Sequence, residues 1–179
     1  VHIQNYAETC VRRMINSLVD GNAEIVFDQG CKISVSIQID KNTQTATIDF
    51  TGTSTQQPDN FNAPEPITRA AVLYCIRSML DEVIPINAGC LRPINIILPK
   101  NSMLTPSFPA AVVAGNVEVS QAVADCLFLA LNVMANAQGT MNNVNFGNES
   151  FQYYETICGG AGAGDGFDLS LIHISEPTR

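Results

Sequence analysis

The stretch KISVSIQID at Lys32–Asp40, together with TATIDF at 45–50, decides the fold class of this chain. In the first stretch isoleucine and valine alternate with polar residues, the pattern of a β-strand that buries one face. The second stretch continues the alternation with three apolar residues. The connecting residues 40–44 (DKNTQ) are typical of a turn, so we predict a β-hairpin.

Helical patterns lie on both sides of the hairpin. Residues 6–18 carry apolar side chains four apart, as an amphipathic helix does. Residues 67–80 contain only two charged side chains, which indicates a mostly enclosed helix. A third helix is predicted over 117–137, with Asn116 placed to cap its first free N–H groups. The predicted apolar face of the first helix consists of Tyr6, Cys10, Met14 and Leu18.

Two further stretches, 94–98 and 153–158, are strand-like. Residues 139–147 are rich in Gly and Asn and predict a loop with turns. A hairpin, helices and extra strands in irregular order indicate an α+β fold rather than a regular βαβ alternation. With 179 residues, the chain fits one domain or a piece of a larger one. We expect a piece of a larger domain.

The composition disfavours several classes of protein. Hydrophobic residues make up 46% of the chain and charged residues 15%, which is enough for a core and argues against disorder. The net charge of −8 disfavours a nucleic-acid partner, because such proteins need a basic surface to displace phosphate counterions. No run approaches the roughly 20 apolar residues of a membrane-spanning helix, so we expect no membrane partner.

The residues at 169–179, LSLIHISEPTR, break with the pattern before them. They resemble the conceptual translation of a sequencing adapter, so we assign residues 1–168 to the biological domain and exclude the tail. At the other end, the chain enters a helical pattern at Val1 without a charged and apolar leader. This start predicts the interior of a longer reading frame.

The six cysteines are widely spread and include no C-x-x-C pair. Zinc sites usually use close pairs of ligands, so we expect no metal site in this chain. Cys75 and Cys126 lie in apolar, helix-like stretches, where a thiol behaves as a small hydrophobic group. Reduced cysteines favour a cytoplasmic protein.

A glycine-rich run, GGAGAGDG, occupies 159–166. Glycine lets main-chain N–H groups approach an anion, which makes Gly160, Gly162 and Gly164 candidates for substrate binding. The run has neither the dinucleotide-binding spacing nor the lysine of a P-loop, so we do not expect ATP to bind here. A flexible connector or close main-chain packing is the alternative interpretation.

The junction before the third helix is a second candidate. A helix N-terminus offers free N–H groups and a positive dipole end, so Asn116 is a candidate for substrate binding. Glu118 is the candidate catalytic acid or base. Polar side chains at helical spacing then form a carboxylate–amide row that faces either a pocket or solvent. Its members are Glu118, Gln121, Asp125, Asn132 and Asn136.

Three other polar residues are candidates for substrate binding. Arg92 lies between Gly89 and Pro93, where a rigid guanidinium can bind a substrate carboxylate. An ordinary surface ion pair is the alternative. Asn142 and Asn143 can hydrogen-bond an amide ring, or they can close a turn.

Six short blocks together resemble the hydantoinase B/oxoprolinase family. They stand in the order typical of that family and extend the resemblance over residues 1–168, which corresponds to the later part of its B unit. The blocks are DFTGTS (49–54), NAP (62–64), INAGCLRP (86–93), AVVAGNVE (111–118), QGTMNN (138–143) and YYETI (153–157) with the glycine run after it.

The resemblance implies part of an ATP-dependent cyclic amidase that opens 5-oxoproline, a hydantoin or a related lactam. In that family a partner A unit, fused or separate, handles ATP with Mg²⁺, and the amide oxygen is phosphorylated before water opens the ring. A divalent metal is expected upstream, outside this chain. Two alternatives stay open: a fragment of an acetone- or acetophenone-type carboxylase, and a non-catalytic scaffold for the A unit. We expect the isolated piece to be inactive.

Overall fold

The predicted hairpin lies within a four-stranded sheet in the computed structural model, which describes residues 2–164. The strands β1, β2 and β3 are antiparallel neighbours, and β4 runs parallel to β3. Together with the helices, this mixed sheet makes the fold α+β, which confirms the predicted class. The strands are β1 (Gly21–Val26), β2 (Lys32–Asp40), β3 (Thr45–Asp49) and β4 (Ile94–Ile97), adjacent in that order.

The hairpin turn forms through local hydrogen bonds, and the alternation sets its register. Ile37 of β2 lies opposite Ile48 of β3, and both side chains are buried. The Asp40 carboxylate accepts hydrogen bonds from the main-chain N–H groups of Thr43 at 3.2 Å and Asn42 at 2.8 Å. Hydrogen bonds from Thr43 and Asn42 hold the pKa of Asp40 below its ordinary value.

Three α-helices pack with the sheet. The third helix contacts β1 and β2, the second helix packs on the third, and the first contacts β3 and the short 3₁₀ turn Ala88–Leu91. Pro64 and Pro66 stand at the start of the second helix, where a missing N–H costs no helical hydrogen bond. The helices are α1 (His2–Ile15), α2 (Glu65–Ser78) and α3 (Val119–Ala130).

The buried face of α1 differs from the predicted one. Its buried residues include Ala7, Val11 and Ile15 besides Cys10, whereas Tyr6 is 54% exposed. An α-helix has about 3.6 residues per turn, so residues spaced strictly four apart drift around its surface. The prediction for Tyr6 was wrong for this reason.

The third helix is shorter than the predicted 117–137, and its predicted cap is wrong. Glu118, not Asn116, stands at the N-cap position, and its side chain makes no capping hydrogen bond. The Asn116 carbonyl instead accepts a hydrogen bond from Ser120 Oγ at 2.7 Å. After the helix ends, Asn132 adopts a left-handed conformation with φ of 54°, which no continuing helix tolerates.

Strand β1 was not predicted from the sequence. Its first residue is Gly21, where a Cβ would overlap the main-chain carbonyl of Ala130 at the end of α3. Glycine therefore permits the close approach of β1 and α3. On the same contact, Cys126 Sγ donates to the Ala23 carbonyl at 3.5 Å. Burial raises the pKa of the Cys75 and Cys126 thiols to about 12, so both behave as the predicted hydrophobic groups at neutral pH.

A separate antiparallel hairpin follows α3. Strand β5 (Asn142–Gly147) pairs with β6 (Gln152–Ile157), so the predicted strand at 153–158 is confirmed and the predicted loop at 139–147 is wrong over β5. Asparagine is depleted in strands, and that composition obscured β5. Phe146 and Tyr153 face each other across the pair with ring centroids 4.9 Å apart.

The segment Val113–Ala130 is long and apolar enough, by length and composition alone, to pass for a membrane span. Half of that segment is buried inside the fold, and α3 forms only its last 12 residues. Its apolar character fits its position in the core.

Candidate functional site

A cavity of about 570 Å³ lies between α2, α3 and the glycine-rich run. This volume is within the range of small-molecule sites, which is about 300–1,000 Å³. Most of the lining is apolar, including Met134, Phe128 and Val133. The polar groups in the wall come from α2, from α3, from residues 138–140 and from the end of β6. They include Gln121, Asp125, Gln138, Thr140 and Thr156.

A smaller cavity of about 370 Å³ lies on the other side of the same wall. Glu118 and Phe27 line only this second cavity, whereas Asp125 and Thr140 line both. The two cavities therefore share a partition built from α3 and the segment that leads into β5. The shared residues are Asp125, Ala137, Gln138 and Thr140.

Asp125 is the buried carboxylate of this partition. It is only 8% exposed, and its Oδ1 accepts a hydrogen bond from the main-chain N–H of Ala137 at 3.1 Å. Burial raises the pKa of Asp125 above its ordinary value, although the Ala137 N–H opposes the shift. A buried carboxylate of this kind in a cavity wall is a candidate for ligand contact.

Glu118 is held at the entrance to α3 by the same segment. Thr140 Oγ1 donates to Glu118 Oε1 at 2.6 Å, and the Met141 N–H donates to the Val117 carbonyl at 3.1 Å. These bonds fix the segment 138–141 against the start of α3. The predicted catalytic residue therefore lines a cavity, and one of its carboxylate oxygens is already hydrogen-bonded to protein.

The glycine run uses its glycines for close main-chain packing. A Cβ on Gly162 would overlap the Ala135 carbonyl oxygen. The Ala135 N–H donates to the Ala163 carbonyl at 2.7 Å, and Met134 forms a β-bridge with Gly164. Gly160 and Gly162 line the larger cavity. Gly164 lies outside that lining and pairs with Met134 through the β-bridge.

The two predicted asparagines lie on strand β5, not in a turn. Asn143 Oδ1 accepts hydrogen bonds from the Tyr154 hydroxyl at 2.8 Å and Thr156 Oγ1 at 3.0 Å. Asn142 Nδ2 donates to Gln138 Oε1 at 3.2 Å. Both side chains are exposed and lie outside the lining of the larger cavity. They connect β5 to its neighbours.

The guanidinium of Arg92 binds helix α1. Its Nη1 donates to Asn5 Oδ1 at 3.0 Å and to Glu8 Oε2 at 3.2 Å, and its Nη2 donates to Gln4 Oε1 at 2.7 Å. Hydrogen bonds from Arg12 and Arg92 hold the pKa of Glu8 below its ordinary value. Arg92 lies outside the lining of both cavities, so the structure does not bring it together with Glu118.

The carboxylate–amide row is only partly a row. Gln121 and Asp125 share one face of α3 and line the larger cavity. Asn132 and Asn136 lie beyond the end of the helix, but Asn136 lines the smaller cavity together with Glu118 and Asp125. Asp125, Gln138 and Thr140 were not predicted as individual site residues. The available signal for Asp125 was one carboxylate within the apolar run VADCLFLA (123–130).

Within residues 2–164, no group of three or more His, Cys, Asp or Glu side chains is arranged to hold a metal ion. Five cysteines are buried, and Cys158 is exposed at the edge of the larger cavity. Polar contact in this cavity therefore rests on carboxylate, amide and hydroxyl groups.

Comparison with known proteins identifies the family of this chain and the fraction of its relatives' length that the chain covers. A model of the hydantoinase B/oxoprolinase family matches residues 1–176. The chain is 44% identical to 5-oxoprolinase 1 of Arabidopsis thaliana, over 91% of the chain and 14% of that protein. It is 32% identical to a putative D-/L-hydantoinase subunit of Pseudomonas sp. strain NS671, over 93% of the chain and 33% of that protein.

Two solved structures share the fold. The ATP-dependent caprolactamase from Pseudomonas jessenii superposes with a TM-score of 0.67 at 19% identity, over 86% of this chain and 29% of that one. A nucleotide-free acetone carboxylase superposes with a TM-score of 0.56 at 14% identity, over 70% of this chain and 19% of that one. At these identities the likeness concerns the fold alone.

Proposed function

Because this chain belongs to the hydantoinase B/oxoprolinase family, we propose that it is part of an ATP-dependent cyclic amide hydrolase. Its substrate is 5-oxoproline, a hydantoin or a related lactam. The chain spans 14% of the length of the 5-oxoprolinase named above, so the activity belongs to the whole protein. The piece contributes the substrate side of the active site.

The cavity beside the glycine run carries this proposal. It combines a volume of about 570 Å³ with an apolar lining and a few polar groups, which is the usual construction of a small-molecule site. Gly160 and Gly162 line it, and Glu118 stands on the other side of the partition. A small lactam ring presents apolar carbons and one polar amide edge, and this lining matches both.

ATP with Mg²⁺ binds elsewhere in this proposal, on an A-type unit that is fused or separate. The glycine run does not fit a phosphate-binding loop, because its main chain pairs with Ala135 and Met134 and the run has no lysine. This chain's residues bind and orient the cyclic amide in the larger cavity. Glu118 lines only the smaller cavity, so it positions or moves a proton from the other side of the partition. The isolated 179-residue chain is therefore expected to be inactive.

The test uses the full-length parent protein together with its A unit. Ring opening of 5-oxoproline, hydantoin and caprolactam is followed by product analysis, with and without ATP and with and without bicarbonate. ATP-dependent hydrolysis is the expected result. A carboxylated product that requires bicarbonate would identify a carboxylase instead.

A scaffold is distinguished by mutation in the same assay. If this chain is only a scaffold, substitutions in the lining of the cavity leave turnover unchanged. If the lining binds the substrate, the same substitutions lower turnover while the A unit stays bound. Co-purification of the A unit with each variant is the control for assembly.

A further inference from the structure

We propose that Gln121 and Asp125 bind the amide edge of the lactam ring in the larger cavity. Asp125 accepts a hydrogen bond from the ring N–H, and Gln121 donates one to the ring carbonyl. The inference rests on the proposed function and deepens it by naming the contacts that recognise a cyclic amide.

The two oxygens of Asp125 have different environments. Oδ1 accepts the Ala137 N–H, whereas Oδ2 has no hydrogen-bond partner among residues 2–164. The side chain is more than nine-tenths buried and forms part of the cavity wall. Oδ2 keeps accessible surface, because the only fully buried unpaired side-chain polar atom among residues 2–164 is Thr68 Oγ1. Oδ2 is therefore open to a ligand N–H.

Gln121 supplies the complementary group. It precedes Asp125 by four residues on α3, so the two side chains are neighbours on one helix face, with Cβ atoms about 5–6 Å apart. Gln121 is half-buried and lines the same cavity, and its amide makes no hydrogen bond with other side chains of the described range. The NH₂ group of Gln121 donates hydrogen bonds, whereas the ionised carboxylate of Asp125 can only accept them.

A cyclic amide has the matching shape. Its ring forces the N–H and C=O groups to the same side, so that a donor and an acceptor project along one edge. A carboxylate and a carboxamide that are adjacent on a helix face offer an acceptor and a donor in the same arrangement. An open-chain trans amide projects its N–H and C=O in opposite directions and cannot engage both side chains from one edge.

The rest of the lining accommodates the ring carbons. Met134, Phe128 and Val133 supply apolar surface, and the described part of the lining contains no Lys, Arg or His. A carboxylate on the substrate, as in 5-oxoproline, therefore projects out of this cavity toward groups outside the lining. The cavity itself recognises the uncharged amide edge and ring.

The first test is Asp125→Asn in the full-length protein with its A unit. The new side chain must keep its oxygen toward the Ala137 N–H, so its NH₂ group faces the ring N–H and two donors meet. We expect KM for the lactam to rise about 10- to 100-fold. Asp81→Asn is the matched control, because Asp81 is exposed, and it should leave KM unchanged.

The second measurement uses the N-methyl analogue of the same lactam, which lacks the ring N–H. Calorimetric titration without ATP gives its affinity relative to the parent lactam for each protein. Wild type should prefer the parent lactam, and Asp125→Asn should lose most of that preference. Gln121→Leu should weaken both ligands equally, since both retain the carbonyl.

The outcomes separate this inference from the proposed function. If wild type neither binds nor opens any lactam, the proposed function and the inference both fail. If wild type is active and Asp125→Asn keeps the KM and the preference for the parent lactam, the inference alone is overturned. A thermal melt of each variant confirms that it is folded, and the preference ratio within one variant is independent of its active fraction.

Discussion

Thr140 Oγ1 donates a hydrogen bond to Glu118 Oε1 at 2.6 Å, and this bond ties the segment before β5 to the first turn of α3. The segment carries Gln138 and Thr140, and both line the two cavities that flank Asp125. The bond therefore helps to hold the partition of the proposed substrate site in place.

Glu118→Gln should lower kcat for ring opening about 100-fold in the full-length enzyme, the range for loss of a general acid or base. Glutamine keeps an oxygen that accepts the Thr140 hydroxyl, so the partition should stay intact and the thermal midpoint should change little. Steady-state kinetics check the first expectation and a thermal melt the second.

Thr140→Val separates chemistry from structure at the same bond. It removes the donor and leaves the Glu118 charge. If Thr140→Val lowers kcat as much as Glu118→Gln, the role of Glu118 is structural. Glu149→Gln, at an exposed position, is the charge-matched control.

Arg92→Ala should affect folding more than turnover. The guanidinium connects the end of the 3₁₀ turn to Gln4, Asn5 and Glu8 on α1, so its loss should lower the thermal midpoint slightly. kcat and KM should stay within about twofold, as for a surface substitution. A large increase in KM for 5-oxoproline but not for an uncharged lactam would instead assign Arg92 to the substrate carboxylate.

Gly162→Ala should destabilise the protein by about 1–3 kcal/mol, the usual cost of overpacking. The new Cβ overlaps the Ala135 carbonyl oxygen, so the glycine run must move away from residues 134–135. Denaturant unfolding measures the loss. Ala163→Ser, at an exposed side chain in the same run, should be nearly neutral. Equal stability of both variants would contradict the close packing.

Asp125→Asn should stabilise the protein more at high pH than at low pH. Burial raises the pKa of the Asp125 carboxyl in the folded protein. The contribution of Asp125 to the free energy of unfolding is therefore greatest below the pKa of the unfolded state and is lost as the pH rises through the pKa of the folded state. The other titratable groups around it supply no cation within the described residues. They are Tyr74 and Cys75 on α2, Cys126 on α3, Asp28 and Glu118 at the smaller cavity, and Cys158 at the larger one.

Thermal midpoints of wild type and Asp125→Asn at pH 5 and pH 8 check this pH dependence. The difference between the two proteins should be larger at pH 8. A difference that does not depend on pH would mean that Asp125 is not destabilised by ionisation.

The sequence predicts the central sheet well and the site less well. The strict alternation in β2 and β3 has one structural solution, since a shift by one residue would expose Ile37 and its neighbours. The sequence did not predict strand β1, because the position of this strand depends on its contact with α3 at Gly21. A contact between residues far apart in the chain leaves no pattern in the local sequence. Strand β5 was missed because pairing with β6 overrides the low strand propensity of asparagine.

The sequence predicted only those parts of the site that residue type and local sequence identify. Glu118 and the glycine run stand out by residue type, and the structure places both at cavities. The cavity wall also depends on the end of α3, which the apolar pattern placed at 137 rather than at Ala130. Asn132 was therefore grouped with Asp125 although it lines neither cavity. Asn136 does line the smaller cavity with Asp125, but from the segment after the helix and not from α3. Arg92 lies away from the site because its guanidinium donates a hydrogen bond to Gln4 on α1, a contact that the local sequence does not predict.

The most direct test of the central claim is a crystal structure of the full-length protein soaked with the parent lactam in the absence of ATP. We predict electron density for the ring in the cavity between α2, α3 and the glycine run. The ring N–H should lie at hydrogen-bond distance from Asp125 Oδ2, and the carbonyl at such a distance from Gln121. A ring bound elsewhere, with this cavity filled by another part of the polypeptide, would contradict the claim.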